Sequence, residues 1–201
     1  MNAETFIFIG SSGSGKGTQV ALLREELTKK DSSIPIFYLQ TGQYFREFIK
    51  ADNLAARIAK ETVDRGERAP DFLAMHIWSK IFIENLTGNE HLIIDGSPRS
   101  LSEAKNLDIA LKFFRRERPV VIYIRVSKEW STEHLLARAQ KEGRADDTAE
   151  SVARRMSWFE RDVLPAVEKF RRDRDYDVIE VNGEQPIEAV HRDIMTQVFG
   201  A

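Results

Sequence analysis

Five short apolar runs recur along the chain, separated by longer segments in which apolar and polar residues mix in a helical pattern. The runs are rich in β-branched and aromatic residues, which favour strands. They cover Thr5–Ile9, Pro35–Gln40, Leu92–Asp95, Val120–Val126 and Asp177–Val181. Strands that alternate with helices predict a parallel sheet with helices on both faces, which places the chain in the α/β class.

The loops that follow the predicted strands are the candidate binding loops. The carboxyl ends of parallel strands meet at one edge of the sheet, and ligands bind beyond that edge. Here the strands lead into Gly10, Thr41, Asp95 and Ser127. We therefore expect one site built from four loops.

The first of these loops has the composition of a phosphate-binding loop. Residues 10–18 read Gly-Ser-Ser-Gly-Ser-Gly-Lys-Gly-Thr and precede a segment with a helical pattern, residues 19–29. Glycines let successive backbone N–H groups point inward around an anion, and the helix adds its positive end at the same place. This context predicts a polyphosphate site with Lys16 beside the β and γ phosphates. A surface turn that happens to contain lysine explains neither the strand before the loop nor the helix after it.

Asp95 ends an apolar strand and places a carboxylate beside the predicted phosphate loop. Magnesium bound to phosphates keeps several waters and uses few protein ligands, so one aspartate acting through water is sufficient. We expect Asp95 to organise Mg²⁺. In the alternative interpretation Asp95 only caps the turn that follows its strand.

Two arginines follow glycines that stand at strand ends. Arg46 comes after Gly42, and Arg99 comes after Gly96. Two guanidinium groups at the same edge can clamp a second phosphate group through paired hydrogen bonds. Arg46 alone would be interpreted as a solvated helix residue, so the prediction depends on the pair.

The predicted helix that begins at Thr148 carries an arginine at the edge of its apolar face. That face is formed by Val152, Met156, Phe159 and Val163. Arg155 lies about 60° from the centre of the face, whereas Arg154 points away from it. A half-buried cation is costly unless an anion meets it, so Arg155 is the better functional candidate.

Two further arginines precede this helix. Arg138 lies beside apolar positions of its own helical segment, and Arg144 lies in a charged, glycine-containing loop, residues 140–147. Arginines that converge from two helices and a loop suit a transferring phosphoryl group, whose charge is spread over several oxygens.

The composition limits the function classes. The chain has 201 residues, 42% of them hydrophobic, which fits a single domain over residues 1–201. Its net charge of −2 provides no general field for nucleic acid, so no nucleic-acid partner is predicted. The apolar runs are too short to span a membrane and no leader pattern opens the sequence, so we expect a cytoplasmic protein without a membrane partner.

The composition also limits which metal sites and disulfide bonds the chain can form. The chain has no cysteine, which excludes disulfides and thiolate metal sites, and its four histidines lack ligand spacing. No zinc site is predicted. The basic clusters at residues 115–118 and 171–174 lie at the ends of predicted helices, where we interpret them as solvated cations that favour the helix dipole.

Together these motifs resemble the adenylate kinase family of nucleoside monophosphate kinases. The resemblance is carried in order by Gly10–Gln19, by Thr41-Gly42 with Arg46, by Asp95-Gly96 with Pro98-Arg99, and by Gly143-Arg144 with Asp146-Asp147 and Arg155. It implies a P-loop NTPase core with a five-stranded parallel sheet flanked by helices (residues 1–40, 71–137 and 148–201), a small helical NMP-binding flap (41–70) and a short lid (138–147). The lid leaves no room for the zinc-binding insertion of some members, and a monomer is the family's usual state.

The resemblance also implies the reaction ATP + AMP = 2 ADP, with Mg²⁺ as cofactor and with ATP and a nucleoside monophosphate as partners. It places the donor ATP on Gly13, Ser14, Gly15, Lys16, Gly17, Thr18, His134, Arg138 and Gly183. It places the monophosphate on Thr41, Arg46, Gly96, Arg99, Glu103, Arg144 and Arg155. The implied catalytic residues are Lys16, Arg99, Arg138, Arg144 and Arg155, and those that pair with arginines as the lid closes are Asp146 and Asp147.

Five residues differ from the usual pattern of the family: Ser12, Gln43, Ser97, Glu103 and His134. Ser12 replaces a proline of the phosphate loop and leaves its glycines intact. Gln43 and Ser97 stand at positions where the replacement is expected to change the shape of the acceptor pocket. His134 stands where an arginine usually stacks on the donor adenine, and an imidazole stacks more weakly.

The identity of the acceptor base depends on Glu103. AMP-specific members use glutamine there, whose amide both donates to adenine and accepts from it. A carboxylate only accepts hydrogen bonds and suits the donor edge of guanine, a difference of about 1–3 kcal/mol. Alternatively, Glu103 turns away in the first turn of its helix, where an acid is favoured, and Thr41 with backbone groups suffices for AMP. AMP is the first expectation, and GMP, CMP or UMP are the alternatives.

Two other function classes are weighed against the kinase. A nucleotide-binding regulator with weak turnover has no need for the arginines at 46, 99, 138, 144 and 155. In a P-loop GTPase the hydroxyl residue directly follows the lysine, whereas here Gly17 separates Lys16 from Thr18. The sequence therefore favours a kinase of small acceptors.

Overall fold

The computed structural model describes residues 3–142 and 148–200 of the chain, apart from the side chains of residues 139, 141 and 142. The strands are β1 (Thr5–Ile9), β2 (Ile36–Gln40), β3 (His91–Asp95), β4 (Val120–Arg125) and β5 (Asp177–Asn182). The helices are α1 (Lys16–Lys30), α2 (Thr41–Phe48), α3 (Leu54–Asp64), α4 (Asp71–Asn85), α5 (Leu101–Phe113), α6 (Lys128–Glu142), α7 (Ala149–Trp158), α8 (Leu164–Arg172) and α9 (Ile187–Phe199). A π-helical turn (Phe159–Val163) connects α7 to α8. No helix within the described ranges is long and apolar enough to cross a membrane.

All five strands are parallel and lie in the order β2-β3-β1-β4-β5. The predicted α/β fold is confirmed, and the bounds of every strand agree with the predicted bounds to within one residue. β1 is central, and its register places Phe8 beside Asp95 of β3 and Ile122 of β4. The loops that follow β1 and β3 therefore open onto the same edge of the sheet.

Side chains of β1 alternate between two packed layers, as the strand period of two requires. Ile7 and Ile9 belong to a core that includes residues of α4, α5 and α8. Phe6 and Phe8 belong to a second core that includes residues of α1 and α9. Both faces of the sheet are thus covered, which explains why β1 is apolar along its whole length.

One basic residue that the sequence suggested as solvated is buried. The Arg116 side chain is 4% exposed, and its guanidinium donates to the Glu90 carboxylate and, at 2.6 Å, to the Glu90 carbonyl oxygen. The chain leaves α5 through Arg115, whose φ of 54° lies in the left-handed region and ends the helical path. The prediction for residues 115–118 is therefore wrong for Arg116, because a carboxylate distant in sequence compensates its burial.

The segment after Thr148 is helical, as predicted, but it is not a single α-helix. The π-helical turn interrupts it, and α8 has Pro165 in its first turn. A proline lacks the N–H that would continue an α-helical ladder, and π-helical turns accommodate such interruptions. Phe159 and Val163 are nevertheless buried, in agreement with the apolar periodicity.

Candidate active site

The loop between β1 and α1 forms a nest of backbone amides. Gly13 and Gly15 have φ angles of 82° and 84°, in the left-handed region that favours glycine. Ser14 N donates to Ser11 O at 3.2 Å, which closes the loop. Because α1 begins at Lys16, its N-terminus points into the same nest and favours an anion there.

The phosphate loop also packs against α6. Ser11 Oγ and Ser131 Oγ share a buried hydrogen bond of 2.7 Å. A Cβ atom at Gly13 would lie 2.8 Å from Ser131 O, so this close approach requires a glycine. The loop is therefore held against the helix that carries Arg138.

Lys16 folds back over the loop. Its Nζ donates to two carbonyl oxygens of the loop, each at 2.8 Å. Burial lowers the pKa of Lys16 to about 8; the Asp95 carboxylate opposes this shift, and the cations Arg99 and Arg138 add to it. The charges of four predicted site residues therefore act on one another at this point.

The lowered pKa of Lys16 predicts a pH-dependent affinity for polyphosphate. Only the protonated amine attracts phosphate oxygens, so the affinity of the free protein should fall as the pH rises above about 8. Calorimetric titration with inorganic tripolyphosphate at several pH values on both sides of that pKa measures the effect. The variant Lys16→Arg stays protonated throughout and should show no such fall. Equal pH profiles for the two proteins would assign the change to another group.

Asp95 lies at the end of β3, and 8% of its surface is exposed. Its Oδ2 accepts a hydrogen bond of 3.0 Å from the hydroxyl of Tyr38. The described part of the chain holds no group of three or more acidic or histidine side chains that could bind a metal ion. A single carboxylate beside a polyphosphate nest nevertheless suits magnesium, because Mg²⁺ takes most of its ligands from phosphates and water. Asp95 therefore fits the predicted role.

The two arginines of the predicted phosphate clamp meet at Gly42. A Cβ atom on this glycine would lie 3.4 Å from Arg46 Nη1 and 3.7 Å from Arg99 Nη2. Arg99 Nε donates to Gly96 O at 2.7 Å, which orients its guanidinium. Burial is the main cause that lowers the pKa of Arg99. The structure thus brings together the pair that the strand ends suggested.

A cavity opens beside this pair. It is lined by Thr41, Phe45, Arg68, Ala69, Ala74, Gly96, Ser97, Arg99 and Glu103. The Thr41 hydroxyl is buried, and none of the described residues hydrogen-bonds to it. An unsatisfied buried hydroxyl on a cavity wall is suited to bind a ligand. The cavity and the arginine clamp together form a candidate acceptor site.

Glu103 is fully buried at the back of this cavity. Its Oε1 accepts a hydrogen bond of 3.2 Å from Trp78 Nε1, and its Oε2 accepts one of 2.6 Å from Arg99 N. Burial raises the pKa of Glu103, and the bond from Arg99 N opposes the shift. Both carboxylate oxygens therefore bind protein donors, and the Arg99 loop is one of the two partners.

Arg154 and Arg155 differ in exposure on α7, as the helical period predicts. Arg154 is exposed and pairs with Glu150 at 2.8 Å. Arg155 is half-buried, and its charge adds to the lowering of the Arg99 pKa that burial causes. Arg155 therefore lies within electrostatic reach of Arg99 in the arginine clamp.

The residues expected at the donor base lie on α6 and after β5. His134 stacks on Trp130, with ring centroids 4.3 Å apart and planes at 20°. Glu184 accepts a hydrogen bond from Ser127 N, which holds the loop containing Gly183 against the start of α6. The aromatic pair and this loop thus adjoin the same helix as the phosphate loop.

Three of the predicted site residues, Arg144, Asp146 and Asp147, lie outside the described residues. Every other site residue predicted from the sequence is described. Those on the phosphate loop and at the strand ends lie at the same edge of the sheet. The charges of Arg138 on α6 and Arg155 on α7 act on Lys16 and Arg99, respectively.

Sequence analysis missed Arg68, which lines the acceptor cavity. It stands between α3 and α4, and its charge adds to the lowering of the Arg99 pKa. The one available signal was its place in the segment 65–70, where the predicted flap joins the core. Trp78 was also missed as a partner of Glu103, because a tryptophan in an apolar helix indicates packing rather than a hydrogen bond.

The sequence is similar to those of known proteins over most of its length. The family model described as Adenylate kinase matches residues 8–175. An adenylate kinase of Azobacteroides pseudotrichonymphae genomovar. CFP2 is 29% identical over 189 residues, which cover 94% of each chain. An adenylate kinase of Leptospira biflexa serovar Patoc is 32% identical over 168 residues, which cover 84% of this chain and 86% of the relative. One from Bacteroides fragilis is 29% identical over 192 residues, or 96% of each chain.

Proposed function

The chain belongs to the adenylate kinase family, and we propose that its acceptor is AMP, so that it catalyses ATP + AMP = 2 ADP. Membership makes it an ATP-dependent phosphotransferase that acts on a nucleoside monophosphate.

The observation that carries the proposal is the presence of two cationic sites at one edge of the sheet. Lys16 and the loop amides form the first site, and Arg46 with Arg99 forms the second. The charge of Arg99 contributes to the lowered pKa of Lys16, so the two sites are close enough to interact. The first suits the phosphates of ATP and the second suits the single phosphate of an acceptor.

Transfer between these sites depends on position and charge rather than on a covalent intermediate. An oxygen of the acceptor phosphate attacks the γ-phosphorus directly while the bond from that phosphorus to the β,γ-bridging oxygen breaks, so that ADP leaves with the bridging oxygen. Arg99 holds the acceptor phosphate in line for this attack. Lys16, Arg138 and Arg155 supply fixed donors around the transferred group, where charge develops. A magnesium ion held through water by Asp95 would neutralise the ATP phosphates.

Water must be excluded during transfer, since otherwise ATP is hydrolysed. We assign this task to the flap at residues 41–70 and the lid at residues 138–147. Arg144 is assigned to both substrates, and Asp146 and Asp147 to ion pairs formed as the lid closes.

Adenine is supported by the contacts of Glu103. Each oxygen of Glu103 already accepts a hydrogen bond from a protein donor, which leaves the carboxylate fewer lone pairs for the two donors of a guanine edge. The Thr41 hydroxyl remains available on the cavity wall to accept from the adenine amino group. These contacts favour the interpretation in which Glu103 serves the Trp78 and Arg99 donors, and Thr41 with backbone groups binds AMP.

A panel of acceptors tests the proposed base. We expect kcat/KM for AMP to exceed that for GMP, CMP, UMP and dTMP by at least about tenfold, the effect of one or two base contacts. ADP formation is measured with ATP as donor by coupled oxidation of NADH. A tenfold preference for another monophosphate would overturn AMP as the acceptor. Tight ATP binding without turnover of any monophosphate would instead favour a regulator.

The variant Glu103→Gln separates the two roles considered for this residue. A glutamine offers one acceptor oxygen where two donors, Trp78 Nε1 and Arg99 N, now converge, so one hydrogen bond is lost. We expect KM to rise for AMP and GMP alike, by about tenfold, with the AMP to GMP ratio of kcat/KM unchanged within about twofold. A gain in AMP preference would show that Glu103 reads the base.

A further inference from the structure

Arg68 lies at the joint between the acceptor flap and the core. It is located in the segment between α3 and α4, and its side chain is 19% exposed on the wall of the acceptor cavity. A largely buried arginine needs compensating carboxylates, so its partners indicate what it does there.

Two aspartates hold Arg68 from different elements. Its Nη1 donates to the Asp71 carboxylate at the start of α4, and its Nε lies 3.4 Å from Asp162 Oδ2. Asp162 belongs to the π-helical turn that continues the helix carrying Arg155. The side chains of Asp71 and Asp162 are 24% and 17% exposed, so neither interaction is a fully solvated surface pair.

A chain of hydrogen bonds extends from Asp71 to the acceptor clamp. Asp71 Oδ2 accepts from Ser100 Oγ at 2.8 Å, and Ser100 Oγ accepts from Glu103 N at 3.0 Å. Glu103 Oε2 in turn accepts from Arg99 N. Arg68 therefore connects the backbone of Arg99 with the helix of Arg155, through one continuous set of polar contacts.

We propose that Arg68 is a positioning residue that sets Arg99 and Arg155 relative to one another while the acceptor is bound. The proposal depends on the kinase reaction of the family but not on which base is the acceptor. The planar guanidinium of Arg68 can donate to two carboxylates at once, which a lysine cannot do equally well. It also neutralises Asp71 and Asp162, two anions that would otherwise compete with the phosphoryl group for the nearby arginines.

The neighbours of this contact define suitable controls. Asp162 also accepts two bonds, of 2.8 and 2.9 Å, from Arg161, whose side chain is 72% exposed. Arg65 lies in the same segment as Arg68, but it is exposed and pairs with Glu67 at the surface. Arg65→Met therefore removes an arginine from this segment without touching the network.

The test uses Arg68→Met, Asp162→Asn and the double variant, assayed with ATP and the best acceptor of the panel. We expect Arg68→Met to lower kcat by about 10- to 100-fold and to raise the acceptor KM, with the ATP KM within about twofold of wild type. Arg68→Lys, which keeps the charge but not the fork, should give an intermediate kcat. Arg65→Met should match the wild type in every constant.

The double variant decides whether Arg68 acts through Asp162. Both substitutions remove the same link, so the loss in kcat for the double variant should be no larger than that for Arg68→Met alone. Additive losses in kcat would overturn the link between Arg68 and Asp162. A wild-type kcat for Arg68→Met would overturn the positioning role, provided that circular dichroism shows the variant to be folded. If Arg68→Met does not fold, wild-type values for both Arg68→Lys and Asp162→Asn would overturn it equally. Failure of the proposed function is seen separately, because the wild-type protein would then turn over no monophosphate.

Discussion

Replacement of Lys16 by methionine is expected to lower kcat by about 10³-fold, equivalent to about 4 kcal/mol of transition-state stabilisation. The Lys16 amine donates to two carbonyls of the phosphate loop, and in the proposed mechanism a substrate phosphate takes their place. As the bond between the γ-phosphorus and the bridging oxygen breaks, negative charge grows on the β-phosphate, and a partly buried amine at this point is screened by water less than an exposed one. Methionine keeps the length of the side chain and removes the charge.

Steady-state rates of ADP formation measure this effect, with Lys29→Met as the matched control. Lys29 lies on the same helix, α1, but its side chain is 66% exposed and pairs with Glu26. We expect the control to retain the wild-type kcat. A Lys16→Met protein that is folded and turns over within about tenfold of wild type would remove Lys16 from the catalytic group.

The phosphate site was accessible from the sequence because its parts are contiguous. Residues 10–18 supply the glycines, the lysine and the helix start within one strand–loop–helix unit, so no knowledge of tertiary contacts was needed. The meeting of Arg46 and Arg99 required one further step. Both follow strands of a parallel sheet, and the ends of adjacent parallel strands must lie side by side.

Contacts between distant side chains could not be inferred in this way. Arg116 looked like its solvated neighbours, and only the turn after α5 directs it against Glu90. Arg68 resembled any polar residue of a connecting segment, and its partner Asp162 belongs to the π-helical turn, which is distant in sequence. Periodicity identifies which face of an element is buried, but it does not identify which residue of another element lies opposite.

The role of Glu103 could be predicted from the sequence only in part. The sequence identified the position and the two roles that a carboxylate can have there, but the direction of the side chain depends on Trp78, a residue of another helix. The same contact links the acceptor pocket to the Arg99 loop, so a change at Glu103 alters the clamp as well as the base site. Substitutions that aim at base preference alone therefore need the AMP to GMP ratio as their measure, since KM responds to both effects.

Replacement of Arg155 by alanine is expected to lower kcat by about 10²- to 10³-fold, whereas Arg154→Ala should change it less than about twofold. The two residues are adjacent in sequence and have the same charge, so they differ only in the direction that α7 gives them. Arg155 is half-buried and acts on Arg99, while Arg154 is exposed and pairs with Glu150. In the proposed mechanism, removal of Arg155 takes one fixed donor from the transferring group. Removal of Arg154 takes away a surface ion pair worth about 0.3–0.5 kcal/mol.

The comparison is made at saturating ATP and acceptor, so that kcat reports the transfer step and not binding. The helix itself is preserved in both variants, because alanine is the best helix former and neither residue caps α7, whose N-cap is Thr148. Arg154→Ala thus controls for charge, helix propensity and position in the chain at once. Equal losses in the two variants would mean that net charge near the site matters more than direction, and the argument from the helical face would fail. A loss confined to Arg155→Ala would place its guanidinium among the groups that act on the transferred phosphoryl group.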